Sequence, residues 1–312
     1  MPGIGIITNP NSKANKRDPS KSDLLGFILG QQGQLAVTRS LEHLHQVAHN
    51  FKASNIEILA INGGDGTISR TLTAFVQAYG SDPLPKIALL RGGTMNVLAS
   101  NLSIRGSPER LLFNLVESYS AGRLSRTTLL QSLEVEGHLG FLYADGLAYR
   151  VLEEFYQNKT NTLGVLFLVS RLIGSALVHG EMAKRLITHQ NVQISAEGFG
   201  SRELSNCMIF ASSIDRMPLG LRLFPHARTS PGRFQFIGVT SHPDSLLFDL
   251  PKIIGRSELG EIDQRVSFCS PELRIISDKK YDYSLDGELY TRENAGVTTI
   301  KAGPRFEFIT PN

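Results

Sequence analysis

Cysteine is almost missing from this chain: Cys207 and Cys269 are the only two among 312 residues. They lie far apart and without ligand spacing, which excludes a disulfide framework and a thiolate zinc site and makes a reducing cytoplasm the natural compartment. An excess of one charge is lacking too. The 32 Lys and Arg against 29 Asp and Glu leave a net charge of +3, too weak to argue for nucleic acid, yet suited to an anionic nucleotide or an anionic membrane surface. No long apolar run goes uninterrupted. The most hydrophobic stretch, Thr160 to Gly180, contains Arg171 and His179. A spanning helix needs roughly 20 mostly apolar residues, and Arg at its centre costs about 2.5 to 3.5 kcal/mol, so a buried or interfacial helix is expected there. Met1 to Thr8 lacks the charged start and apolar length of a signal peptide and reads as a first strand. Internal repeats and low-complexity tracts are absent as well.

With 41% hydrophobic residues, a chain of this length can bury a core in each of two domains. Its organising stretch is Ile61-Asn62-Gly63-Gly64-Asp65-Gly66-Thr67. The apolar run Ile56 to Ile61 before it reads as a buried strand, and Ile68, Leu72, Phe75, Val76 and Tyr79 after it recur at helical spacing. Three glycines and a threonine at such a junction let the backbone approach a ligand and aim free N–H groups at an anion. An Asp-Gly hairpin is the alternative, which the helical period that follows disfavours.

The rest of the first half repeats the pattern. The first strand ends in Asn9-Pro10-Asn11-Ser12, and Lys13 to Ser22 reads as a polar, basic loop. A helix from Ser22 to Gly30, a strand from Gln34 to Val37, Thr38, and a helix from Ser40 to Phe51 capped by Ser40 follow. After Pro83 and Pro85 comes a strand, Lys86 to Leu90, then a second glycine turn, Gly92 to Asn96, and a helix from Ser107 to Ala121. Repeated strand and helix argue a parallel sheet, whose ligands sit at the carboxyl ends of the strands. Glu42, His45 and His49 share a helix face, but with no fourth ligand in sight they read as a solvated face rather than a metal site.

From Gly122 the texture changes to short β-like runs: Thr127 to Val135, His138 to Ala144, Asn191 to Ala196, Asn206 to Ser212, Gly232 to Val239, Glu272 to Ser277 and Tyr281 to Leu285. Helical inserts are expected near Gly164 to Thr188 and Pro243 to Gly255, and two more strands near 296–300 and 305–309. The predicted fold is α/β: a Rossmann-like parallel-sheet domain over residues 1–122, then an antiparallel β-sandwich over 123–296.

The pentapeptide Gly63 to Thr67 resembles the signature of the diacylglycerol kinase catalytic-domain family, related to sphingosine kinases and more distantly to NAD kinases. Further stretches resemble its motifs in order: Asn9-Pro10-Asn11-Ser12, then Gly93-Thr94-Met95-Asn96-Val97-Leu98-Ala99, then Asp286-Gly287-Glu288. The set spans nearly the whole chain. The resemblance implies an ATP-dependent lipid kinase that requires Mg²⁺, associates peripherally with membranes and phosphorylates a hydroxyl of a diacylglycerol-like or long-chain-base lipid. It places the nucleotide on the first domain, at Asn9, Thr38, Gly63, Gly64, Asp65, Gly66, Thr67, Ser69, Gly93, Thr94 and Asn96, and the lipid on the second. It also returns the tail, about 297–312, to the first domain.

Phosphoryl transfer needs donors and a metal for the phosphates and a carboxylate to deprotonate the acceptor. The resemblance assigns the carboxylate to Glu288, with Asp286 beside it, while Asp65 places Mg²⁺ through water or structures its loop. A bare hairpin tip is the alternative for Asp286-Gly287. The chain departs from the family at Lys13, where Gly is usual. Asn96-Val97 stands where bacterial lipid kinases read Asn-Asp, removing a carboxylate. Leu223 to Ala227 resembles a stretch that precedes an Asp-Gly pair, here Pro231-Gly232. Without that Asp, and with Arg228 and Arg233 beside it, a structural magnesium site is not expected. A non-catalytic nucleotide- or lipid-binding protein and an NAD kinase are the alternative functions. Lipid identity, nucleotide preference and oligomeric state are not legible, and a homodimer is left open.

Overall fold

The computed structural model describes residues 3–18, 20–123, 126–157, 185–241, 249, 258–262, 264–279, 281–291 and 295–311. The apolar stretch Thr160 to Gly180 lies outside the described residues, as do nearly all of the helical inserts expected near Gly164 to Thr188 and Pro243 to Gly255. Among the described residues no helix is long and apolar enough to cross a membrane. The chain forms two compact units, one of residues 1–130, 137–139 and 305–312, the other of residues 131–136 and 140–304.

The first unit runs β1 (Ile4–Thr8), α1 (Lys13–Arg17), α2 (Lys21–Leu29), β2 (Gly33–Val37), α3 (Leu41–Ala53), β3 (Ile58–Asn62), α4 (Asp65–Tyr79), β4 (Lys86–Leu89), α5 (Val97–Asn101) and α6 (Pro108–Ser120). The loop expected over Lys13 to Ser22 thus holds a helical turn. The strands are parallel in the order β2-β1-β3-β4. Every residue of β1 and β3 is buried, so both faces need apolar cover. Ile4, Ile6, Ile58, Ala60 and Ala88 pack with Leu25 and Leu29 of α2 and Leu112 and Leu115 of α6. On the other face lies α3 beside α4, with Phe51 edge-on to Phe75 at 6.4 Å. Gly5 points there, and a Cβ on it would stand 2.6 Å from the Phe51 ring. Ser40 and Ser107 cap α3 and α6 through the N–H groups of His43 and Arg110. Phe308 pairs in parallel with Ile87, which brings the last residues of the chain into this sheet.

The strand order matters for function. β2 lies on one side of β1 and β3 on the other, so the connections that leave β1 and β3 part company and open a crevice at their carboxyl ends.

The second unit takes in β5 (Thr127–Val135), β6 (His138–Gly140), β7 (Leu142–Asp145), α7 (Gly146–Gln157), β8 (Gln190–Ala196), β9 (Gly200–Asn206), β10 (Met208–Ser212), β11 (Phe234–Val239), β12 (Gly260–Ile262), β13 (Arg265–Ser270), β14 (Glu272–Ser277), β15 (Tyr283–Leu285), β16 (Glu288–Tyr290) and β17 (Gly296–Ile309), the first two and the last being shared with unit one. One antiparallel sheet has the order β12-β13-β11-β10-β7-β15-β16. Facing it, β14 lies between β8 and the start of β17, and β9 pairs with β8. Val192, Ile194, Leu273, Ile275 and Ile300 from one sheet meet Tyr143, Ile209, Phe234, Phe236 and Tyr283 from the other in the sandwich core. The α/β class with a separate antiparallel sheet is therefore as expected.

Local differences have physical reasons. The run His138 to Ala144 breaks at Phe141, because the N–H groups of Phe141 and Leu142 turn to a side-chain carboxylate. The run Asn206 to Ser212 breaks at Cys207, where the chain passes from one sheet to the other. β9 carries mostly exposed polar residues and so showed no apolar pattern. α7 begins directly after β7 at Gly146, whose φ of 57° and lack of a Cβ let it lie against the Cys207 carbonyl.

Asp145, at the end of β7, is fully buried. Its carboxylate accepts hydrogen bonds from Tyr281 Oη (2.5 Å), Ile209 N–H (2.6 Å) and Tyr143 Oη (3.2 Å). Burial lifts its pKa to about 7, although those bonds and the Arg150 charge pull the other way. The folded protein then holds this proton more tightly than the unfolded chain, whose carboxyl titrates near 3.8. The contribution is fully present below that lower value and is lost as pH rises through about 7. Asp145→Asn is expected to flatten the decline of the thermal midpoint between roughly pH 5 and 7.5. Equal slopes for the two proteins would show that the decline arises elsewhere.

Candidate functional site

β3 ends at Asn62 and α4 starts at Asp65, so Gly63 and Gly64 make the whole connection. β3 and β4 are parallel, which rules out a hairpin here. A Cβ on Gly63 would overlap Thr67, one on Gly92 would overlap Asn62 Oδ1, and one on Gly93 would overlap Cα of Gly64. The two glycine turns therefore touch backbone to backbone. Gly64 is the N-cap residue of α4 and offers no side chain to its first-turn amides. Uncapped amides at a helix start favour an anion.

Asp65 ties the turns together. Its two carboxylate oxygens accept from Val97 N–H (3.0 Å) and Leu98 N–H (3.1 Å) at the start of α5. Burial raises its pKa, and those N–H groups oppose the rise. Asn96, at φ 47°, closes the second turn by accepting from Gly93 N–H (3.2 Å) and donating to the Gly93 carbonyl (3.0 Å). The bonds to Asp65 come from peptide groups, so the side chain of Val97 takes no part in them.

At the end of β1, Asn9 Nδ2 donates to Thr67 Oγ1 (2.9 Å), and Asn9 Oδ1 accepts from Asn11 N–H (2.8 Å). Asn15 was not anticipated from the sequence. Its Nδ2 donates to the Asn9 carbonyl (2.8 Å) and its Oδ1 accepts from Asn62 Nδ2 (3.2 Å); no pattern in the sequence marked these contacts. Thr38 is buried, with its N–H on the Thr8 carbonyl (3.0 Å). Thr94 is exposed. Ser69 is buried and donates to the Leu139 carbonyl, while Thr73 Oγ1 accepts from Leu139 N–H (3.0 Å). Its hydroxyl is thus engaged within the unit. Around this edge Thr8 Oγ1, Ser12 Oγ and Asn62 Oδ1 are buried without a protein partner. Such atoms cost about 1 to 3 kcal/mol each unless a ligand or water completes them.

In the second unit, Asp286 and Gly287 are the two central residues of the β15–β16 hairpin, at φ 50° and 84°, values that suit a type I′ turn. The hairpin-tip reading therefore describes the backbone. The side chain does more: Asp286 Oδ1 accepts from Phe141 N–H (3.0 Å) and Leu142 N–H (2.9 Å), and Tyr156 Oη donates to the Gly287 carbonyl (2.9 Å). Glu288, half-buried, begins β16 directly after this fixed tip. The sequence offered no sign of the Tyr156 contact.

The loop with Pro231 is held by amide side chains. Gln235 Oε1 accepts from His226 N–H (2.9 Å), its Nε2 donates to Ser267 Oγ (2.9 Å), and Gln131 Oε1 accepts from Gly232 N–H (3.2 Å). Arg233 pairs with Glu197 at 2.5 Å, so the repulsion expected of its charge is offset. Among the described residues no three His, Cys, Asp or Glu gather to hold a metal. The Glu42, His45, His49 face remains a surface of α3, with Glu42 and His49 exposed.

A parallel sheet with two abutting glycine turns at its strand ends is the architecture of the first unit. Residues 4–129 match the family model of the diacylglycerol kinase catalytic domain, which bears out the resemblance over that segment. No curated protein matches the chain. Three solved structures from Bacillus anthracis str. Sterne are similar over 98% of this chain and 96% of theirs. Two putative diacylglycerol kinases are 14% identical with TM-scores of 0.70 and 0.67, and a diacylglycerol kinase is 13% identical with a TM-score of 0.65. They show that the fold is shared along the length of the chain.

Two outcomes follow from this geometry. Gly93→Ala drives a Cβ into the Gly64 backbone and is expected to lower stability by about 1 to 3 kcal/mol. Gly64→Ala, whose Cβ would stand 3.3 Å from Gly93 Cα, is expected to cost less; denaturant titration that reverses this order would refute the packing argument. Gln235→Ala strands two polar groups and is expected to lower stability by about 1 to 3 kcal/mol, whereas a chelator should leave the thermal midpoint unmoved. A midpoint that falls with chelator would show a metal at the loop.

Proposed function

We propose that the chain is an ATP-dependent lipid kinase that transfers the terminal phosphoryl group to a lipid hydroxyl at a membrane surface. The observation that carries this reading is the edge of the parallel sheet. Three orphaned polar atoms and the uncapped start of α4 lie at its switch point, on or next to the residues that resemble the kinase motifs. The nucleotide is assigned to Asn9, Thr38, Gly63 to Thr67, and Gly93 to Asn96, and the lipid to the second unit.

A magnesium ion bound with the nucleotide would neutralise charge on the phosphates. Asp65 is the carboxylate at this turn, and with both oxygens engaged by amides it suits contact through a metal-bound water rather than direct ligation. Asp286 fixes the hairpin, and Glu288 takes the proton of the acceptor hydroxyl. Deprotonation makes that oxygen a nucleophile toward the terminal phosphorus, whose bond to the bridging oxygen of the β-phosphate breaks and releases ADP. A binding protein without turnover is the second reading, favoured by the engagement of both Asp65 and Asp286 with backbone amides.

Incubation with γ-labelled ATP, Mg²⁺ and a panel of dispersed lipids, with NAD and sugars as controls, decides between them. Label in a chloroform-soluble product is expected. Label in NADP would overturn the lipid assignment, and ATP binding without any transfer would favour the second reading. Glu288→Gln is expected to lower kcat by roughly 10²- to 10⁴-fold with nucleotide affinity unchanged; full turnover would place the base elsewhere.

A further inference from the structure

Arg91 has no place in the motifs described above, yet it occupies the same edge. It lies just past β4, after Leu90, whose N–H still bonds the Ile61 carbonyl at 2.9 Å. The next residue, Gly92, packs against Asn62 and the Gly63 amide. Arg91 stands at φ 58°, a region that long side chains seldom occupy. Its Nε is buried without a partner, and no hydrogen bond or ion pair among the described residues engages its guanidinium.

A guanidinium keeps its charge at any working pH, and partial burial without a counter-charge is unfavourable. Lys21, Lys52 and Lys86 of the same unit pair with Glu109, Asp82 and Glu307. Arg91 has no such counter-charge among the described residues, and its Nε is buried. The fork of N–H donors it presents matches the oxygens of a phosphate. The uncapped amides of α4, at the same edge, ask for the same kind of ligand.

We propose that Arg91 is a polyphosphate-binding residue, pairing with phosphate oxygens of the nucleotide that the Gly63 to Thr67 turn cradles. This deepens the reading of that edge as a nucleotide site and rests on it for the identity of the ligand. The phosphate affinity itself follows from a guanidinium without a counter-charge among the described residues, at the same edge as the uncapped start of α4, whether or not transfer to lipid occurs.

Calorimetry with inorganic tripolyphosphate, ATP and adenosine tests the assignment on the wild type, Arg91→Asn and Arg91→Lys. Asn tolerates positive φ, so the first variant keeps the backbone and loses the charge; its thermal midpoint verifies folding. Arg91→Asn is expected to weaken tripolyphosphate and ATP by about 10- to 100-fold, the usual worth of a charge-assisted pair. Adenosine should bind as before, and Lys, a charge without the fork, should restore part of the loss. Unchanged tripolyphosphate affinity in the Asn variant, or a wild type that binds no tripolyphosphate, overturns the proposal. Arg91-dependent binding of tripolyphosphate by a protein that labels no lipid would sink the kinase reading and leave this anion site standing.

Discussion

The contact of Gly64 with Gly93, backbone on backbone, is the constraint on which the candidate nucleotide edge depends. It lets two strand ends and two turns share a space that any side chain would fill. Once the turns are that close, the Asp65 carboxylate can reach the first amides of α5, and the start of α4 is left with no cap of its own. Helix-start amides left uncapped at a parallel-sheet switch point form a site for an anion before any side chain is considered. The chemistry of the edge is thus largely peptide chemistry. Side chains such as Asn9, Asn15 and Asn62 hold the peptide groups in place.

Carboxylates recur in this protein as structural acceptors. Asp65 holds Val97 and Leu98, Asp286 holds Phe141 and Leu142, and Asp145 holds Ile209. In each case a side chain replaces a ladder or helix bond that the backbone could not make at a break in regular structure. The first two occur in motifs that resemble catalytic ones. A motif aspartate can therefore be required for the shape of a site without touching a reacting atom.

Much of the fold could be read in advance because its first unit obeys simple periods. β1 and β3 are apolar runs closed by turn residues, and α4 repeats its apolar positions at helical spacing, so each element declares itself. Ser40 and Ser107 mark helix starts by the ordinary cap rule. The second unit was harder. β9 lies at an edge with little to bury, the chain changes sheets at Cys207, and α7 opens straight from the end of β7, although Leu147, Val151 and Phe155 repeat every four residues. At the candidate site the motif residues were legible and their partners were not. Asn15, Tyr156 and Arg91 matter through contacts, or the lack of them, that only the folded chain displays.

The bonds from Val97 and Leu98 to Asp65 carry one more implication. What the fold asks of position 97 is a peptide N–H, which every residue except proline supplies. The side chain there is free to drift while the turn keeps its form, so Asn-Val in place of Asn-Asp removes a carboxylate and leaves the backbone of the turn as it was. Geometry carried by peptide groups leaves little trace in the alphabet of side chains, and distant members of such a fold can keep a site whose letters have largely changed.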